Sequence, residues 1–167
     1  AGIDISVEQV KIAKKLGIIN IQQSDIKDFL NNSISRYDVV FMRDVLEHFN
    51  KEEILDLLEL VYRSLKNGGI FIIQTVNAEN LLWGRLRYGD FTHEISFTEN
   101  NLGQVLLASG FKEVGVYPMP PVIHSLKSSI RFILWKFIEL GLRFYLLIET
   151  GSIKGIFTQN LIAVAKK

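Results

Sequence analysis

YDVVFMRDVLEHF, residues 37–49, runs from β-forming residues straight into a charged turn. Residues 37–42 have the length and the β-branched, aromatic composition of a strand buried on both faces, as in a parallel sheet. The turn after them sets Asp44, Glu47 and His48 at i, i+3 and i+4, positions that share one face if the segment is helical. Two carboxylates and an imidazole in that arrangement could hold a divalent cation, with oxygen-rich ligation suiting magnesium or manganese. The same spacing equally describes a capping box, with Asp44 as N-cap, Glu47 at N3 and His48 covering the helix end.

The flanking sequence repeats the pattern. Asn50 and Glu53 cap a helix over 51–65, with Ile54, Leu57, Leu58 and Val61 on its core face. Asn67-Gly68-Gly69 ends it, and IFIIQTV, 70–76, is a second buried strand. Upstream, Ile3 to Ile5 reads as a strand end, followed by the S-x-x-Q capping box of Ser6 and Gln9. That helix reaches Lys15 or Leu16, and Gly17 stands where a left-handed residue closes it. A strand over 18–23 and a loop holding Asp25 come next. The alternation predicts an α/β protein with a parallel sheet and helices on both faces. Residues 77–97 break the rhythm. Thr98 caps a helix ending at Gly110, FKEVGVYP is a strand closed by Pro118, and NLIAVAK, 160–166, is the last strand.

With 167 residues, 48% hydrophobic and 22% charged, the chain suits a single globular domain. A net charge of +1 supplies no global field toward nucleic acid. No cysteine is present, which excludes disulfides and thiol catalysis and fits a reducing cytoplasm. Residues 130–148, IRFILWKFIELGLRFYLLI, are strongly apolar yet carry Arg131, Lys136, Glu139 and Arg143. At about 2.5–3.5 kcal/mol for each charge near a bilayer centre, they do not span a membrane. A helix lying on a membrane, or one covering a pocket, remains open.

Ligands of open α/β sheets bind beyond the carboxyl ends of the strands. Asp4 and Ile5, Asp25 and Ile26, Arg43 and Asp44, and residues 75–77 stand there. Asp4 could accept from both hydroxyls of a ribose; its alternative is an anion favoured by a helix start. Asp25 could accept from an adenine amino group while the Ile26 N–H faces a ring nitrogen. The alternative is a polar turn residue. His93, in THEISF, lies in the irregular segment over the pocket, where a surface or a hydrogen-bonded core histidine is the alternative.

These pieces, taken in order, resemble a class I S-adenosylmethionine-dependent methyltransferase. GIDIS resembles the family's second strand, whose acid binds the cofactor ribose. QQSDIKDF resembles the region whose acid meets the adenine. YDVVFMRDVLEHF is the most specific match. SLKNGGIFIIQTVN and HEISFTENNLGQVLLASGF resemble later segments. The resemblance implies a Rossmann-like sheet of seven strands in the order 3-2-1-4-5-7-6, the last antiparallel, and S-adenosyl-L-methionine as cofactor. Some relatives hold a divalent metal through a D/E-x-x-E-H turn and a later histidine; Asp44, Glu47, His48 and His93 match that pattern. It also implies His93 or His48 as a catalytic base, and Asp4, Ile5, Asp25, Ile26, Arg43 and Asp44 as cofactor-binding residues.

The implied activity is methyl transfer, favouring O-methylation, to a small or medium-sized acceptor of glycan, lipid or quinone type. The acceptor pocket is expected from 77–97 and 118–156, with Trp83, Tyr88, Trp135 and Tyr145 offering aromatic surface or core. The family's first strand and glycine-rich loop have no counterpart before GIDIS, so the sequence is expected to be a fragment with a split sheet. Two rivals stand beside this reading. One is a non-catalytic binding module on a degenerate methyltransferase fold. The other is a nicotinamide dehydrogenase, which the turn at 44–48 disfavours.

Overall fold

A computed structural model describes residues 1–167. The elements are β1 (Gly2–Asp4), α1 (Val7–Lys15), β2 (Ile21–Gln23), α2 (Ile26–Asn31), β3 (Tyr37–Arg43), α3 (Lys51–Ser64), β4 (Leu65–Val76), α4 (Trp83–Arg87), α5 (Glu99–Ala108), β5 (Lys112–Pro118), α6 (Leu126–Thr150) and β6 (Asn160–Lys166). A 3₁₀ turn, Leu46–His48, lies between β3 and α3.

The helix starts follow local chemistry. Asn50 accepts from Glu53 N at 3.0 Å while the Glu53 carboxylate accepts from Asn50 N at 3.3 Å, a reciprocal box opening α3. Thr98 and Asn101 do the same for α5. Ser6 accepts from Gln9 N at the start of α1, and Gly17 closes that helix at φ +88°. Helix α2 stands where the sequence predicts only a loop holding Asp25. Asp25 is its N-cap, accepting from Lys27 N at 2.7 Å. The strand expected over 18–23 is paired only at Ile21–Gln23.

Six strands form two sheets. β1 and β2 pair in parallel; β3, β4, β6 and β5 form the second sheet in that order. β3 runs parallel to β4, and β6 is antiparallel to β4. β4 starts at Leu65, directly after α3, and the register jumps from Tyr37↔Leu65 to Val39↔Ile70. Gly68, at φ +75°, makes that bulge possible. A cavity of about 340 Å³ lies between the sheets, lined by Gly2, Ile3, Val39, Phe41 and their neighbours.

The core lies on one face of the four-stranded sheet. Leu57, Leu58 and Val61 of α3 and Leu102 and Leu106 of α5 pack with Phe71, Ile73, Leu161 and Ala163. Along β3 the other face is open, which corrects the expectation that this strand is buried on both sides. Val39 is 52% and Phe41 58% exposed, beside Ile70. The burial of β6 alternates along its length, the pattern of a half-covered antiparallel strand.

Asn77 ties the site end of β4 to the chain entering β6. Its buried Nδ2 donates to the carbonyls of Ile156 at 2.6 Å and Thr158 at 2.7 Å. Asn77→Ala leaves both carbonyls without that donor. The expected loss in urea unfolding is roughly 1–3 kcal/mol for each buried group orphaned, whereas an exposed change such as Leu16→Ala should stay within about 0.5 kcal/mol.

Candidate active site

The carboxyl ends of β1, β2 and β3 surround a cavity of about 450 Å³. Asp4, Asp25, Asp44 and His48 line it with Ile5 and Ile26. Asp4 is the last residue of β1, and its Oδ1 accepts from Ser6 N at 2.7 Å. Asp25 Oδ1 accepts from Lys27 N and Asp28 N. In each acid one oxygen is held by helix-start N–H groups, and the chain gives Oδ2 no hydrogen bond. Both acids line the cavity, and each keeps one carboxylate oxygen free to accept. Ile26 is the first residue of α2, where the backbone N–H has no partner within the helix.

Asp44 behaves differently. It adopts φ +50°, its N–H donates to Gln74 O at 3.1 Å, and its Oδ1 accepts from Gln74 Nε2 at 2.9 Å. Oδ2 accepts from Arg43 Nε at 3.3 Å. Arg43 is exposed and lines the cavity between the sheets rather than this one.

Behind His48 lies a second group. A carboxylate oxygen of Glu47 and one ring nitrogen each from His48 and His93 lie within 4.8 Å of one another. The two rings meet edge to face with centroids 4.8 Å apart. Glu47 is buried, and its Oε2 accepts from Thr75 Oγ1 at 2.9 Å. Burial holds its carboxyl above the usual carboxylate range, and Asp44 adds to this; the hydrogen bonds, led by that of the backbone, oppose it.

Hydrogen-bond partners assign the ring protons. The Leu86 carbonyl can only accept, so His93 Nδ1, at 3.0 Å from it, carries the hydrogen. The Thr92 hydroxyl donates to Asp90 Oδ1 at 2.7 Å, so His48 Nδ1 must donate to Thr92 Oγ1 at 2.9 Å. The Thr92 hydroxyl and backbone N–H hold the Asp90 carboxyl below its ordinary range, which keeps it ionised as the final acceptor. In the neutral rings both Nε2 atoms therefore keep a lone pair. Imidazoles oriented this way by an outer acceptor suit either metal ligation or proton abstraction.

Comparison with known proteins decides the family. A family model described as a methyltransferase domain matches residues 1–115. The chain belongs to that methyltransferase family. No curated protein matches it. Among solved structures, an S-adenosylmethionine-dependent methyltransferase from Archaeoglobus fulgidus superposes with a TM-score of 0.71 at 22% identity, covering 99% of this chain and 75% of that one. An S-adenosylmethionine-dependent methyltransferase from Mesorhizobium loti gives 0.64 at 15% identity, over 99% and 79%. Phosphoethanolamine N-methyltransferase 2 of Haemonchus contortus, solved with S-adenosyl-L-methionine, gives 0.62 at 16%, over 99% and 42%. The methyltransferase domain thus has the Rossmann-like fold of the S-adenosylmethionine-dependent enzymes.

Within this domain the structure brings together Asp4, Ile5, Asp25, Ile26, Asp44 and His48 around one cavity, and Glu47, His48 and His93 in one trio. It separates Asp44 from the proposed metal set. The turn 46–48 is 3₁₀ rather than α-helical, and the left-handed Asp44 sends its carboxylate to Gln74. For the same reason no capping box forms: Val45 stands at the N-cap position, and no side chain caps the turn. Thr92 and the Leu86 carbonyl, which orient the histidines, carried no sequence expectation; Thr75, which orients Glu47, was expected only as a strand-end residue. Asp90 accepts from Thr92 N at 2.9 Å, a local turn contact for which Asp-x-Thr is the sequence signal.

Glu47→Gln tests the buried carboxyl. A raised folded-state pKa means that Glu47's contribution to stability is full below the unfolded pKa and is lost as pH rises through the folded value. The variant should remove that loss. Its melting temperature relative to the parent should rise as pH is taken from 4 to 8 in about unit steps, by scanning calorimetry.

Proposed function

We propose that the domain transfers a methyl group from S-adenosyl-L-methionine to an oxygen of a small or medium-sized acceptor. The observation that carries this is the meeting of two acceptor carboxylates, Asp4 and Asp25, with His48 around one cavity. The residues fit the cofactor. The outward oxygen of Asp4 suits a ribose diol, and that of Asp25, beside the Ile26 N–H, suits the amino edge of adenine. Bound there, the cofactor supplies an electrophilic sulfonium methyl; the protein's part is alignment and proton removal.

His48 borders both the cavity and the trio, so it stands where an acceptor meets the cofactor. Its Nε2 lone pair can take the acceptor's proton, and the Thr92–Asp90 chain behind Nδ1 stabilises the resulting imidazolium. Glu47, His48 and His93 also fit a divalent cation, which would lower the pKa of an acceptor hydroxyl. A carboxylate with two imidazoles suits manganese better than magnesium. Residues 77–97 and 118–156 supply the acceptor side, where Trp83 and Tyr88 lie 6.0 Å apart between ring centroids.

Two measurements test the reading. In calorimetric titration with S-adenosylhomocysteine, Asp4→Ala should weaken binding by roughly 1–3 kcal/mol, the worth of a charge-assisted hydrogen bond. Unchanged affinity would remove the ribose from Asp4. Labelled-methyl transfer should fall by about 10²–10⁴-fold in His48→Ala, the range of a general base. Loss of activity in excess chelator, restored by manganese, assigns the trio to a cation; full activity in chelator assigns it to proton transfer alone.

A further inference from the structure

Helix α6 is inside out for a soluble protein. Leu126, Ile130, Ile133, Phe137, Leu140 and Phe144 follow one another at alternating spacings of four and three, and each is at least half exposed. Leu134, Tyr145 and Ile148 widen this stripe and are exposed as well. Ser128, Phe132, Trp135, Glu139 and Leu142 face the body of the protein and are buried or half-buried. The side chain of Glu139 is only 18% exposed, because Lys136 holds one oxygen at 2.8 Å and Arg143 the other at 2.7 Å. Arg143 also donates to the Ile153 carbonyl at 2.6 Å, fastening the helix to the chain that follows. The polar side chains are thus spent inward and the apolar ones left outward.

Charge and place identify what covers this face. Residues 119–156 carry five basic side chains, Lys127, Arg131, Lys136, Arg143 and Lys154, against the acids Glu139 and Glu149. The whole chain has a net charge of only +1, so the remainder is acidic on balance. Of the two acids in the segment, Glu139 is turned inward and paired. A second copy would bring the same net excess of basic charge to the border, with only the exposed Glu149 against it. The apolar arc is also wider than the two-in-seven seam of a helix pair. The exposed Val122, Ile123 and Ile153 continue it past both helix ends. No helix is long and apolar enough to cross a membrane. An apolar face with a basic border on a helix of 25 residues matches a helix lying in the plane of a lipid interface.

We propose that α6, with 122–123 and 153, is a docking surface for an anionic lipid bilayer. The surface lies at the site end of the sheet: β5 leaves at Pro118 and β6 enters at Asn160, which pairs with Val76 at the end of β4. Docking therefore turns the cavity end of the domain toward the lipid. The proposal concerns binding alone and stands independently of the methyl-transfer reading.

The test is co-sedimentation of the protein with vesicles of phosphatidylcholine alone, and with about one-third phosphatidylglycerol added. Binding to the anionic vesicles is expected to exceed that to neutral ones by about tenfold or more, and to weaken in high salt. Phe137→Glu with Phe144→Glu should abolish it, with an unchanged thermal melt because both positions are exposed. Lys127→Glu and Lys154→Glu should each lower anionic-vesicle binding about fivefold. Leu107→Glu, an exposed site on α5, should bind like the parent. Three results would overturn the proposal: no sedimentation with either vesicle, equal sedimentation with both, or a dimer in solution that Phe137→Glu splits and vesicles do not displace.

Discussion

The site hangs on the last turn of β4, where Gln74 and Thr75 reach across to the segment leaving β3. Gln74 both accepts from and donates to Asp44, and Thr75 donates to the buried carboxyl of Glu47. A non-glycine residue at positive φ costs roughly 1–2 kcal/mol, and the paired Gln74 contacts offset that at Asp44. The forced left-handed step turns the chain so that Glu47 enters the core and His48 comes to the cavity. Glu47 then serves twice. Its side chain stands beside the histidines, and its carbonyl accepts from Glu94 N and Ile95 N, holding the segment that carries His93. One strand end thereby places two groups that are distant in sequence.

The arrangement separates two kinds of charge. Carboxylates gather at the cavity, where helix-start N–H groups orient Asp4 and Asp25. This suits a ligand rich in hydroxyl and amino donors. Basic side chains gather on the segment between β5 and β6, around a helix whose apolar face is turned out. Because β6 runs antiparallel to β4, both regions lie at the same end of the sheet. A methyltransferase domain built this way has its acid-lined cavity and its exposed apolar helix joined through one short connection, held by Asn77 and Asn80 to the carbonyls of 156–158.

Much of this was legible along the chain. Local signals carried the caps at Ser6, Asn50 and Thr98, because a cap is a contact between residues three apart. Periodicity placed the inner face of α3, and composition located the strands. Helix α2 was missed because six residues give periodicity too little length, although Asp25 was the cap in plain view. The double burial of β3 was misjudged because an apolar run reads the same whether one face is covered or two.

The sequence by itself determined the α/β alternation and the acids at the strand ends, since each rests on residue type and short spacing. Only the tertiary structure decided which of them meet. Asp44 turns away from the two histidines and Glu47 stays beside them, a choice made by Gln74 and Thr75 from a different strand. The ring protons of His48 and His93 were assigned by Thr92 and the Leu86 carbonyl. The outward turn of α6 was set by where Glu139 and Arg143 found partners. In every case the deciding contact joins parts of the fold that spacing and periodicity do not relate, so no reading along the chain could supply it.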